Sequence, residues 1–118
     1  MTWSFDPAPL PSVPVAGTGQ RFPVRRILCV GQNYAAHARE MGHERAEPFF
    51  FTKPADAVVV DGADPVYPLA TSNLHHEVEL VAAIGPDGVF GWAVGCDLTR
   101  RDLQAAGRSI GQDFEIPL

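Results

Sequence analysis

Cysteine is scarce in this chain: Cys29 and Cys96 stand far apart, in neither a CxxC nor a CxxC…CxxC arrangement. Without such a motif, both read as small buried hydrophobes. Long apolar runs are missing as well, and none approaches the roughly 20 residues that a bilayer span needs. The opening stretch MTWSFDPAPLP has neither the basic start nor the apolar centre of a secretory signal, so the chain reads as cytoplasmic. A basic surplus is also missing. Nine Lys and Arg against fourteen Asp and Glu leave a formal charge of −5, which gives no footprint for nucleic acid. An acidic chain that takes an acidic substrate needs a bound cation to supply the local positive charge.

What is present fits an ordinary globular domain. Of its 118 residues 46% are hydrophobic and 19% charged, enough for one domain with a modest core. Eleven prolines and eleven glycines imply many turns between short elements, which favours a β-rich α+β fold over a helical bundle.

Residues 1–23 show no sustained period and read as an extended arm, followed by a domain from residue 24 to 118. In VRRILCVGQNY, the run Ile27 to Val30 stops at Gly31, as a buried strand does before a turn. NYAAHAREMG predicts a short helix, with Asn33 placed to cap it and Gly42 to end it. EPFFFTKP predicts a second buried strand closed by Pro54, and AVVV, Ala57 to Val60, a third. HEVELVAAIG and FGWAVGCDLT predict two more strands joined by the turn GPDG. TRRDLQAAG predicts a helix starting near Thr99 and stopped by Gly107.

The most informative stretch is LHHEVELVAAIG. On a strand, residues i and i+2 share a face, so Glu77 and Glu79 stand about 7 Å apart. Two carboxylates in an apolar setting repel, and one must take up a proton unless a cation binds both. Hard oxygen ligands suit Mg²⁺, Mn²⁺ or Ca²⁺. Asp97, where the strand FGWAVGC is expected to give way to a loop, is the natural third ligand. A strand with a merely polar face remains the alternative. His37 and Glu40, three apart on the predicted helix, share a face and form either a solvated pair or an oriented general base. His75 and His76 lack zinc-motif spacing, and adjacent strand residues send their rings to opposite faces.

Taken in order, CVGQNYAAHAREMG, EPFFFTKPADAVV, LHHEVEL and GWAVGCDLTRRDLQ resemble the fumarylacetoacetate hydrolase family, in wording nearest to bacterial fumarylpyruvate hydrolases. The resemblance runs from about Phe22 to about Gln104. It implies a mixed β-roll, usually dimeric, with Mg²⁺ or Mn²⁺ held by Glu77, Glu79 and Asp97. It also implies a water-activating pair, His37 and Glu40, on a small lid helix, and substrate contacts from Gln32, Tyr34 and Lys53. The implied reaction is hydrolysis of a C–C bond in a small dioxo acid such as fumarylpyruvate, with decarboxylation or tautomerisation of oxaloacetate-like acids as a variant.

The sequence departs from the family pattern in four places. It stops near the middle of the usual domain, so an incomplete roll is expected. Gln112 in IGQDFE stands where the family carries a catalytic lysine, and an amide cannot exchange a proton near neutral pH. GPDGVFGW joins two strands directly where relatives insert a helical segment. Gln32 replaces an arginine that would anchor a substrate carboxylate. These departures keep a second expectation open: a catalytically impaired half-domain that binds metal and pairs with another copy or a longer homologue.

Overall fold

The computed structural model describes residues 1–31, 49–60 and 62–109. The predicted helix around His37, with Gln32, Tyr34 and Glu40, and the segment holding Gln112, lie outside the described residues. Contacts divide the chain into two compact units, Met1–Val66 and Tyr67–Leu118. The described residues are strand-rich, with one α-helix among them.

In the first unit, β1 (Ser12–Pro14) and β2 (Arg21–Pro23) form a small antiparallel hairpin inside the segment read as an extended arm. The Arg21 guanidinium ties it further, its Nε donating to Ser12 Oγ at 2.6 Å. Next, β3 (Ile27–Gly31) pairs antiparallel with β4 (Phe49–Lys53), Cys29 opposite Phe51 and Gly31 opposite Phe49. Phe49 lies across Gly31 so closely that a Cβ there would meet its ring at 2.3 Å. Phe49 in turn tilts against Phe51, ring centroids 6.1 Å apart.

Three expectations are corrected here. Both β3 and β4 were expected to be buried, yet Leu28 and Phe50 are exposed, because nothing among the described residues covers the second face of this two-stranded ribbon. Among the described residues Val24 is the one buried apolar side chain. AVVV does not form a strand: Ala55–Ala57 make a single 3₁₀ turn after Pro54, and Val58 is extended but residues 58–60 have no ladder partner among the described residues. Lastly, the cysteines are free but not buried, Cys29 being half-buried and Cys96 exposed.

The second unit is built on a long hairpin. β5 (Leu74–Gly85) pairs antiparallel with β6 (Gly88–Arg100) through the two-residue turn Pro86–Asp87. The expected turn is therefore present, with Gly88 at φ +113°, a conformation that suits glycine. Register is regular from Leu74 opposite Arg100 to Ala83 opposite Gly91, then breaks at a bulge before Ile84 pairs with Val89. Strand β6 runs straight into helix α1 (Arg101–Ser109), which begins two residues later than the sequence suggests and continues through Gly107.

Because directly opposed residues share a face, the register divides this ribbon chemically. One face carries Val78, Leu80, Ile84, Trp92 and Val94, and all are strongly exposed, Val78 at 72% and Val94 at 80%. The other carries His75, Glu77, Glu79, Asp97 and Thr99. At the α1 end of that second face Thr99 is fully enclosed and Gln104 nearly so.

Candidate metal centre

Glu77 and Glu79 lie on one side of β5, as their spacing requires. Asp97 stands directly opposite Glu77 and diagonal to Glu79, whose own partner is Gly95. One carboxylate oxygen from each of the three acids lies within 4.8 Å of the others, and all three side chains are half-buried. Among the described residues this is the one such group of potential metal ligands.

The absence of a side chain at Gly95 has a local reason. A Cβ there would meet Val81 Cγ2 at 2.8 Å, so Val81 occupies the space beside Glu79 that any larger residue would need. One correction applies to Asp97: it does not sit where a strand yields to a loop but inside β6, three residues before that strand ends at Arg100. The ladder therefore fixes its backbone, and its carboxylate is placed by register rather than by a loop.

The donor set fits a hard divalent cation. Metal–oxygen bonds of about 2.1 Å put the ligand oxygens of one ion roughly 3 to 4.2 Å apart. Oxygens already within 4.8 Å of one another reach that spacing by small side-chain rotations. Three carboxylates with no sulfur or imidazole among them select Mg²⁺, Mn²⁺ or Ca²⁺ over zinc. A bound cation also removes the repulsion that three neighbouring carboxylates otherwise impose.

Sequence reasoning missed Arg101. Its Nη2 forms an ion pair with Glu77 Oε1, and its Nη1 donates to Gln104 Oε1 at 2.8 Å. Both charged side chains are mostly enclosed, 16% exposed for Arg101 and 20% for Glu77. One carboxylate of the cluster is thereby oriented by a guanidinium held from behind by a buried amide. The available signal was the pair Arg100 and Arg101, three and four residues after Asp97, at the junction of strand and helix.

That junction is itself pinned. Arg101 N–H donates to Asn73 O at 2.9 Å. The neighbouring Asp102 accepts from Thr71 Oγ1 at 2.5 Å and from Ser72 N–H at 3.0 Å. The Thr71 hydroxyl, then the Ser72 amide, hold the Asp102 carboxyl below the usual aspartate range.

Of the other predicted site residues, Lys53 belongs to the first unit. With Arg25, Arg26 and Thr52 it lines an open cleft of about 460 Å³ whose lining carries three cations and no acid. Gln32, Tyr34, His37, Glu40 and Gln112 lie outside the described residues. His75 and His76 are exposed, and their partners Thr99 and Leu98 put them on opposite faces, as expected.

A family description, fumarylacetoacetate (FAA) hydrolase C-terminal, matches residues 26–115. The chain belongs to the fumarylacetoacetate hydrolase family. Over 94% of its length it is similar to a fumarylpyruvate hydrolase from Pseudomonas aeruginosa whose crystal structure contains Mn²⁺ and pyruvate, with TM-score 0.88 and 49% identity, covering 55% of that chain. It is 41% identical over 98 residues to a mitochondrial oxaloacetate decarboxylase from Dictyostelium discoideum, 72% of this chain and 45% of the relative. It is 40% identical over 103 residues to a mitochondrial oxaloacetate tautomerase from Arabidopsis thaliana, 77% of this chain and 46% of the relative. The chain thus spans about half the length of the curated relatives it matches. The strand-rich fold is of this family's type.

Proposed function

We propose that this chain carries the metal-binding part of a hydrolase that cleaves a C–C bond in a small dioxo acid such as fumarylpyruvate, giving fumarate and pyruvate. The observation that carries this reading is the convergence of Glu77, Glu79 and Asp97 on one face of the β5–β6 ribbon, in a chain of this family. Similarity to a fumarylpyruvate hydrolase crystallised with Mn²⁺ supports the choice of Mn²⁺ or Mg²⁺ as the ion. When bound, the cation supplies Lewis-acid polarisation of a substrate carbonyl.

The roles assigned to the chain's own residues follow from their chemistry. Glu77, Glu79 and Asp97 hold the ion, and Arg101 keeps the Glu77 carboxylate turned toward its partners. The His37 imidazole takes a proton from the attacking water, with the Glu40 carboxylate fixing its tautomer. Water adds to the carbonyl beside the breaking bond. The electron pair of that bond passes to the pyruvate fragment, which then gains a proton. Gln32 and Tyr34 contact the substrate, and Lys53 binds a substrate carboxylate, an assignment that the cationic lining of the Lys53 cleft supports. Gln112 acts as a hydrogen-bond donor where relatives place a lysine. The β-roll, the dimer and a cytoplasmic setting belong to the same reading.

A second reaction is favoured by the oxaloacetate decarboxylase and tautomerases among the relatives. Here the pocket would enolise or decarboxylate an oxaloacetate-like acid. A third reading, metal binding with pairing to another chain, draws support from the exposed apolar face of the ribbon.

Product analysis separates the three. The Mn²⁺-loaded chain is incubated with fumarylpyruvate and, separately, with oxaloacetate. Fumarate and pyruvate in equal amounts support the hydrolase; keto–enol exchange or CO₂ release from oxaloacetate alone would support the second reading. Mn²⁺ binding without turnover of either would leave the third.

A further inference from the structure

We infer that Asp102 is a positioning residue for the metal centre: it locks the start of α1 to the Thr71–Asn73 segment and so holds the Arg101 guanidinium on Glu77. This rests on the metal reading of Glu77, Glu79 and Asp97.

The linkage is continuous in the structure. Asp102 receives hydrogen bonds on both carboxylate oxygens, Oδ1 from the Thr71 hydroxyl and Oδ2 from the Ser72 amide, across about thirty residues of sequence. Thr71 Oγ1 in turn accepts from Asn73 N–H at 3.3 Å, and Asn73 O accepts from Arg101 N–H at 2.9 Å. The backbone of Arg101 is therefore held from its neighbour's side chain and through its own amide. Its side chain then spans from Gln104 to Glu77.

A guanidinium is a rigid fork, so its bond to Glu77 depends on where its backbone stands. The same segment precedes β5, with Ala70 at φ +60°, a conformation unusual for a residue with a Cβ and one that needs support from its surroundings. Asp102 bonds the two residues that follow Ala70, Thr71 and Ser72. Outer partners that orient metal ligands typically change affinity by about 10–100-fold when removed. A residue acting one step further out is expected to change it by about three- to tenfold.

Two readouts test this in the 118-residue chain. In the metal-free protein, ¹⁵N relaxation at Arg101 Nε should report an ordered side chain, and Asp102→Asn should make it mobile while α1 persists by circular dichroism. Thr71→Val, which leaves Asp102 in place, should do the same. In the Mn²⁺-bound protein, titration followed by electron paramagnetic resonance of free Mn²⁺ should show a three- to tenfold loss for Asp102→Asn. That loss should vanish in an Arg101→Gln background, since Asp102 acts through Arg101. Full additivity of the two substitutions, or an Arg101 Nε that stays ordered in both variants, would overturn the inference. If the wild-type chain binds no Mn²⁺, the metal reading fails by itself and the relaxation readout decides the role of Asp102.

Discussion

Asp97 faces Glu77 directly across the β5–β6 ladder, and this single pairing turns two carboxylates on one strand into a three-acid group. A loop-borne acid would have to be ordered at the moment of binding. Here the backbone of each acid is already fixed by strand pairing, so the entropy of bringing the three together is met by the fold itself.

Loss of one ligand should be costly. Asp97→Asn and Glu79→Gln are each expected to weaken Mn²⁺ binding beyond the roughly 100-fold upper range for outer partners. Isothermal titration calorimetry checks this. A change of less than about threefold for either would show that the three acids do not share an ion.

Binding should also be visible as stability. An ion that binds the native chain and not the unfolded one adds about 2.7 kcal/mol at one hundred times its dissociation constant. Thermal unfolding should therefore shift upward with Mn²⁺ and return on chelation, and the shift should be absent in Glu77→Gln.

Two glycines are expected to resist substitution for steric reasons. Gly31→Ala places a methyl group 2.3 Å from the Phe49 ring, and Gly95→Ala places one 2.8 Å from Val81. Overpacking of this kind costs about 1–3 kcal/mol. Denaturant unfolding checks both. Gly95→Ala should in addition weaken Mn²⁺ binding, because Val81 must move along the face that carries Glu79, whereas Gly31→Ala should not.

The link between Asp102 and Thr71 should respond to acid. Its carboxyl is held below the ordinary range, chiefly by the Thr71 hydroxyl and the Ser72 amide. A depressed native pKa gives stability that is present above the unfolded value, about 3.9, and lost as pH falls through the lower native value. Helical signal from α1 should thus be level above about pH 5 and decline below about pH 4. Asp102→Asn should remove that part of the profile. An identical acid transition in the variant would contradict the assignment.

Much of the second unit could be read from the chain because its signals are local. Alternation in HEVELVAAIG, the turn GPDG and the spacing of Glu77 and Glu79 specify strands, hairpin and a shared carboxylate face. Asp97 was identified by type and position, but its place within β6 depends on pairing with a strand twenty residues earlier, which periodicity does not encode. Arg101 was missed for a related reason: its bond to Glu77 spans 24 residues and needs the strand-to-helix corner to form first. In the first unit the apolar runs ILCV and FFF predict buried strands. They formed a ribbon with one open face, since hydrophobic content reports what can be covered and not what covers it. AVVV is not a strand because β propensity makes none without a ladder partner.

The bulge in the long hairpin bears on the three-acid group from a distance. A two-residue turn with an unbroken ladder would align Asp97 with His76 and aim its carboxylate to the side of β5 that carries Val78 and Leu80, away from Glu77 and Glu79. Phe90, left over between Val89 and Gly91, corrects the count by one. Chemistry at one end of the ribbon is thus set by arithmetic at the other.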